Sequence, residues 1–67
     1  MKINVLINYK NGDRETFLNA NGLIVEGHKI DVCFPKQITR KGIPHKVAQV
    51  DIEMSAIRNI EIFNEQN

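Results

Sequence analysis

The stretch Ile3-Asn4-Val5-Leu6-Ile7-Asn8-Tyr9-Lys10-Asn11-Gly12-Asp13-Arg14-Glu15-Thr16-Phe17-Leu18-Asn19 decides the fold. Ile3, Val5, Ile7 and Tyr9 alternate with Asn4, Leu6, Asn8 and Lys10, the period of two that marks a strand. Asn11-Gly12 follows. That dipeptide is the strongest short-range signal for a two-residue hairpin turn, because both turn positions require positive φ. Arg14 to Asn19 then returns as a second strand. A two-residue loop sets the register: Lys10 faces Asp13, Leu6 faces Phe17 and Val5 faces Leu18. Leu6 and Phe17 then share one face, and Val5, Ile7 and Leu18 share the other. A sheet with one wet face alternates more cleanly than this. The hairpin is therefore expected inside a closed barrel, a sandwich or an oligomer interface.

Working outward, Asn19-Ala20-Asn21-Gly22 reads as a second turn. Leu23 to Glu26 then pairs with Lys29 to Phe34 across Gly27-His28, where a first-position glycine suits a type II′ turn. Glu26 opposes Lys29, Val25 opposes Ile30 and Leu23 opposes Val32, with Phe34 on the same apolar face. Ile24, Asp31 and Cys33 occupy the more polar face. Pro35 to Pro44 breaks the pattern and reads as the longest loop. Lys46 to Met54 resumes alternation, with Ala48, Val50, Ile52 and Met54 inward and Gln49, Asp51 and Glu53 outward.

The end supports two readings. Met54, Ile57 and Ile60 keep a helical spacing of three, yet Asn59-Ile60-Glu61-Ile62 alternates. Branched and aromatic residues favour a helical or 3₁₀ turn over Ser55 to Arg58, then a last strand from Asn59 to Phe63. The tail from Asn64 is expected to fray. The sum is an all-β chain: a small antiparallel five- to six-stranded meander or barrel, SH3-like or Sm-like in size, with a short helical turn before the last strand. One domain spans residues 1–67.

Composition bounds what such a domain does. The chain has 67 residues, of which 42% are hydrophobic and 25% charged, the balance of a folded rather than a disordered segment. No apolar run approaches the ~18 residues of a transmembrane helix. The asparagine-interrupted start lacks the features of a signal peptide. Cys33 stands alone, so neither an intramolecular disulfide nor a multi-cysteine metal site is available, which points to a reducing, cytoplasmic setting. Ile, Asn, Lys, Phe, Tyr and Met, all with AT-rich codons, make up 30 of the 67 residues and suit a bacterial, phage or mobile-element gene.

Catalytic signatures are missing. His28 and His45 lie in separate expected loops without ligand-type spacing, and the four glycines fall in separate turns rather than in one phosphate-binding loop. Neither an enzyme nor a metal or other cofactor is expected. A domain of this size buries only about 60% of its unfolded surface, which favours self-association as a homodimer. The first functional reading is a non-catalytic protein-binding module, of the kind that serves as a small regulator or inhibitor. Its contact residues are Leu6, Tyr9 and Phe17, with Ile24 as a second patch.

Net charge is only +1, so it names no polyanionic partner. Residues 36–46 nevertheless hold Lys36, Arg40, Lys41 and Lys46 without an acid, while residues 47–67 carry a net charge of −3. The rival reading is a small nucleic-acid-binding barrel that uses those four bases. It is weaker, since four bases release few counterions and Phe17, Phe34 and Phe63 are expected in the core rather than as stacking platforms. Arg40 and Lys41 lie in a loop, so replacing both by alanine is expected to spare the fold.

Overall fold

In the computed structural model, which describes residues 2–64, the hairpin forms in a different register from the expected one. β1 spans Ile3–Tyr9 and β2 spans Arg14–Ala20. Val5 faces Phe17, Leu6 faces Thr16, Ile7 faces Glu15 and Asn8 faces Arg14. The loop is one residue longer than the dipeptide signal implied. Gly12 N–H donates to the Tyr9 carbonyl at 3.0 Å, and Tyr9 N–H donates to the Asp13 carbonyl at 2.8 Å. The Asn11 side-chain oxygen accepts the Asp13 amide at 2.9 Å. Gly12 alone in this turn takes positive φ, +96°. Lys10-Asn11-Gly12 is thus a three-residue loop closed by an Asx bond. Burial is the reason. The slip sets Phe17 beside Val5 and Ile7 on the inner face and turns Leu18 outward.

A bulge then re-aims the end of β2. Ile3 faces Ala20 while Val5 faces Phe17, so β2 carries one extra residue. Asn19 absorbs it at φ +61°, and its N–H donates to the Asn4 side-chain oxygen at 3.1 Å. Phe17 and Ala20 both point inward as a result. What the sequence presented as a turn is a corner: Asn21 alone joins β2 to β3 (Gly22–Glu26), its N–H bonded to the Cys33 carbonyl at 2.8 Å.

β3 and β4 (Lys29–Ile38) pair in the expected register, with Gly27 at φ +61° in the first loop position. β4 runs beyond Phe34 and through Pro35, which shortens the expected loop to residues 39–46. The ladder to β5 is irregular between Cys33 and Ile38, so a residue without an N–H is tolerated there. β5 (Val47–Glu53) buries Val50 and Ile52 as expected, but Ala48 and Met54 are exposed. A 3₁₀ turn over Met54–Ala56 precedes β6 (Ile57–Asn64), one or two residues earlier than the sequence placed them. Asn64 ends that strand instead of fraying, and residues 65–67 lie outside the described residues.

The fold is all-β, as read from the sequence. Two three-stranded antiparallel sheets, ordered β2-β1-β6 and β3-β4-β5, enclose one core. Val5, Ile7, Phe17 and Ala20 meet Ile30, Val32, Phe34, Val50 and Ile52 in it. Phe63, expected there, faces Asn4 on the outer side of the first sheet and is 46% exposed. No helix among the described residues is long and apolar enough to cross a membrane.

Candidate functional site

The four residues read as a protein contact do not converge. Phe17 is core, its ring 5.9 Å from that of Phe34 and tilted by 57°. Leu6 is half-buried on the outer face of the first sheet. Ile24 is exposed on the second sheet, opposite Asp31. Tyr9 is half-buried, and its hydroxyl donates to Glu15 Oε1 at 2.7 Å. An outer apolar patch does exist on the first sheet, but Leu18 and Phe63 form its exposed part beside Leu6. The register shift exchanged Leu18 for Phe17, and only the three-dimensional pairing shows it.

The basic segment divides in two. Lys36, Lys41 and Lys46 are exposed. Arg40 is not free: its Nε donates to Glu15 Oε2 and its Nη2 to Glu15 Oε1, each at 3.0 Å, and its guanidinium stands 5.9 Å over the Phe17 ring. This two-pronged bond pins residues 39–46 to β2. The pair is about three-quarters buried, so it is screened less than a surface pair. Burial pushes the Tyr9 hydroxyl up to about 12, helped by its bond to Glu15. Burial also works to raise the Glu15 carboxyl, but the bonds from Arg40 and Tyr9 outweigh it and hold Glu15 below its usual range. Glu15 was not singled out in the sequence. Its place on a strand that returns toward a basic loop was the one available signal.

Along the outer edge of β2 lies a run of three open hollows. Arg14, Asp13, Tyr9, Glu15, Arg40 and Lys41 line the first. The second shares Glu15, Arg40 and Lys41 with it and adds Leu18, Phe34 and Ile38. The third shares those three apolar residues and ends at Lys2 and Lys36. Each is about 250–430 Å³ and open to solvent, too shallow to enclose a small ligand but continuous along a strand. β2 has no hydrogen-bonded strand on this side among the described residues. Lys2, Arg14, Lys36 and Lys41 therefore rim an apolar floor beside an unpaired edge.

The outer face of the second sheet has the opposite sign. Asp31 faces Asp51 directly across β4 and β5, and Lys29 faces both Glu26 and Glu53. Asp31 is only 5% exposed. Contact with the Asp51 carboxyl raises its proton affinity, with burial adding to the effect; the Gln49 amide works the other way. At the hairpin tip His28 Nδ1 lies 2.7 Å from Glu53 Oε2. No group of three or more His, Cys, Asp or Glu among the described residues is arranged to hold a metal ion.

A carboxyl whose folded pKa is raised stabilises the fold below its ordinary value of 3.8, and that contribution is lost as pH rises through the folded pKa. Asp51→Asn is therefore expected to raise the unfolding midpoint at neutral pH and to change nothing well below the ordinary value. A midpoint at neutral pH equal to or lower than that of the parent, read by circular dichroism at low protein concentration, would contradict this account.

No family model, no curated protein and no solved structure matches this chain. The fold and its surfaces define a class all the same: a small two-sheet β domain with one basic, apolar-floored strand edge and one acidic sheet face.

Proposed function

We propose that the chain is a non-catalytic protein-binding module that takes an extended acidic segment of its partner along the free edge of β2. The observation that carries this is the unbroken run of hollows, with Leu18, Phe34 and Ile38 as its floor and four bases at its rim. An unpaired edge offers main-chain hydrogen bonds to an extended segment, and alternate side chains of that segment meet floor and rim. Leu6 and Phe63 continue the apolar surface from Leu18. The lone Cys33 thiol and the AT-rich residue usage support a reducing cytoplasm and a bacterial, phage or mobile-element gene as its setting. There it acts as a small regulator or inhibitor.

A protein segment suits the run better than a nucleic acid does. Among the described residues no exposed aromatic ring lines the run itself for bases to stack on: Phe17 and Phe34 are buried, the Tyr9 hydroxyl is held by Glu15, and the exposed Phe63 lies on the adjoining outer face rather than in the run. Arg40, the base best suited to phosphate, is already engaged. Fluorescence anisotropy with a labelled peptide of alternating Glu and Leu, and with labelled DNA and RNA oligonucleotides at low and high salt, tests the choice. Saturable peptide binding is expected, weakened at least about tenfold in Lys36→Glu/Lys41→Glu. Absence of peptide binding overturns the proposal. Oligonucleotides that bind more tightly than the peptide and lose affinity in the same variant replace it with the nucleic-acid reading.

A further inference from the structure

We infer that the segment taken along β2 carries acids at its two ends and apolar residues between them, with its more acidic end at Lys2 and Lys36. The inference rests on the binding-module reading and adds the order of the partner's side chains. That order comes from the hollows. Leu18, Phe34 and Ile38 line the second and the third, so the apolar floor takes the middle of the run and continues toward Asn19. None of the three lines the first hollow. Bases stand at both ends, Arg14 and Lys41 at one and Lys2 and Lys36 at the other. Arg14 to Asn19 spans about 17 Å of strand, so an extended segment of about six residues covers the run. A carboxylate placed over the floor would lose water without gaining a partner, whereas one at either end meets a base.

The two ends differ. The third hollow has no carboxylate among its lining residues, and both of its lysines are exposed. At the first hollow Asp13 and Glu15 stand among the bases. Glu15 takes both prongs of Arg40, and Arg14 Nε donates to Asn8 Oδ1 at 3.0 Å. Lys41 is the base left to a partner there. The main chain has the same asymmetry. Residues 34–37 of β4 have no ladder partner in β3 or β5, and Phe34, Pro35 and Lys36 wall the third hollow opposite β2. A segment lying there has strand backbone outside any ladder on both sides. At the first hollow it has β2 alone.

Fluorescence anisotropy at low salt with labelled, end-capped peptides tests the order. The acid-ended peptide Glu-Glu-Leu-Ser-Leu-Glu-Glu is expected to bind at least about tenfold more tightly than Leu-Glu-Glu-Ser-Glu-Glu-Leu, which has the same composition and charge. Two one-ended peptides, Glu-Glu-Leu-Ser-Leu-Ser-Ser and Ser-Ser-Leu-Ser-Leu-Glu-Glu, assign the ends. The tighter of them is expected to lose at least about tenfold in Lys36→Glu and little in Lys41→Glu, and the weaker to show the reverse. Both lysines are exposed, so the unfolding midpoints of the two variants are expected to stay at the parent value. An acid-centred isomer that binds as tightly as the acid-ended peptide overturns the inference while the binding-module reading stands. So does a tighter one-ended peptide that answers to Lys41, or a pair that responds alike to both variants. Absence of binding by every peptide, the alternating Glu/Leu one included, overturns both.

Discussion

Phe17→Ala is expected to leave this domain largely unfolded at room temperature, while Leu18→Ala, one residue away, is expected to change stability by no more than ~0.5 kcal/mol. Phe17 is 5% exposed and Leu18 is 59% exposed. The Phe17 ring packs on Phe34 from the opposite sheet and carries the Arg40 guanidinium over its face, so truncating it removes contacts from three elements at once. Removing a buried phenylalanine costs about 3–5 kcal/mol. A chain of this length has a total stability of roughly 3–10 kcal/mol at the usual per-residue values. The loss is therefore comparable to the whole. Urea unfolding followed by circular dichroism separates the two variants. The two-residue turn read from Asn11-Gly12 puts Leu18, rather than Phe17, on the face of Val5 and Ile7, so a more damaging Leu18→Ala would overturn the observed register.

Arg40→Ala is expected to cost about 1.5–3 kcal/mol, the range for a partly buried hydrogen bond to a charged group, whereas Lys41→Ala beside it stays within ~0.5 kcal/mol. Loop placement suggested that both could be removed without harm. Tertiary contact separates them, because Arg40 reaches back across the chain to Glu15 and its loss leaves that carboxylate half-buried with only Tyr9 as donor. Glu15→Gln is expected to cost a similar amount. The Arg40→Ala/Glu15→Gln double variant should lose less than the sum, since each single change already breaks the same bonds. Additive losses in that cycle would show that the pair is not coupled.

The same network sets two pH limits. Glu15 has a lowered folded pKa, so its contribution is present above its ordinary value of 4.5 and is lost as pH falls through the lower folded value. Tyr9 is raised from 10.0 to about 12, so its contribution is complete below 10.0 and is lost as pH rises toward 12. Stability attributable to the network should thus be flat across neutral pH and fall on both sides. Tyr9→Phe is expected to remove the alkaline limb and, by taking one donor from Glu15, to shrink the acid limb, and an unchanged alkaline limb in that variant would count against the Tyr9–Glu15 bond.

Much of the architecture was legible in residue order, for local reasons. Alternation with a period of two marks β1, β3, β4 and β5. Gly27 at a first loop position determines the β3–β4 register, and the alternating run Asn59-Ile60-Glu61-Ile62 with its branched residues marks β6. The candidate site was less legible. Lys36 and Lys41 stood out as part of an acid-free segment, but Lys2, Leu18 and Glu15 complete the β2 run from places far apart in the chain. The division of labour among Lys36, Arg40, Lys41 and Lys46 depends on which of them finds a carboxylate, and sequence spacing carries no such information.

By itself, then, the sequence determined the all-β class, a count of five or six strands, their approximate positions and the sign of the charge on each segment. These follow from alternation, turn chemistry and composition, which act over a few residues. Only the tertiary structure decided which of Phe17 and Leu18 is inside, that Arg40 is a brace rather than a free contact, and that Asp31 faces Asp51. A two-residue and a three-residue turn are close in local energy at Lys10-Asn11-Gly12-Asp13, whereas burying the Phe17 ring against the opposite sheet is a larger effect. That effect exists only once both sheets are in place.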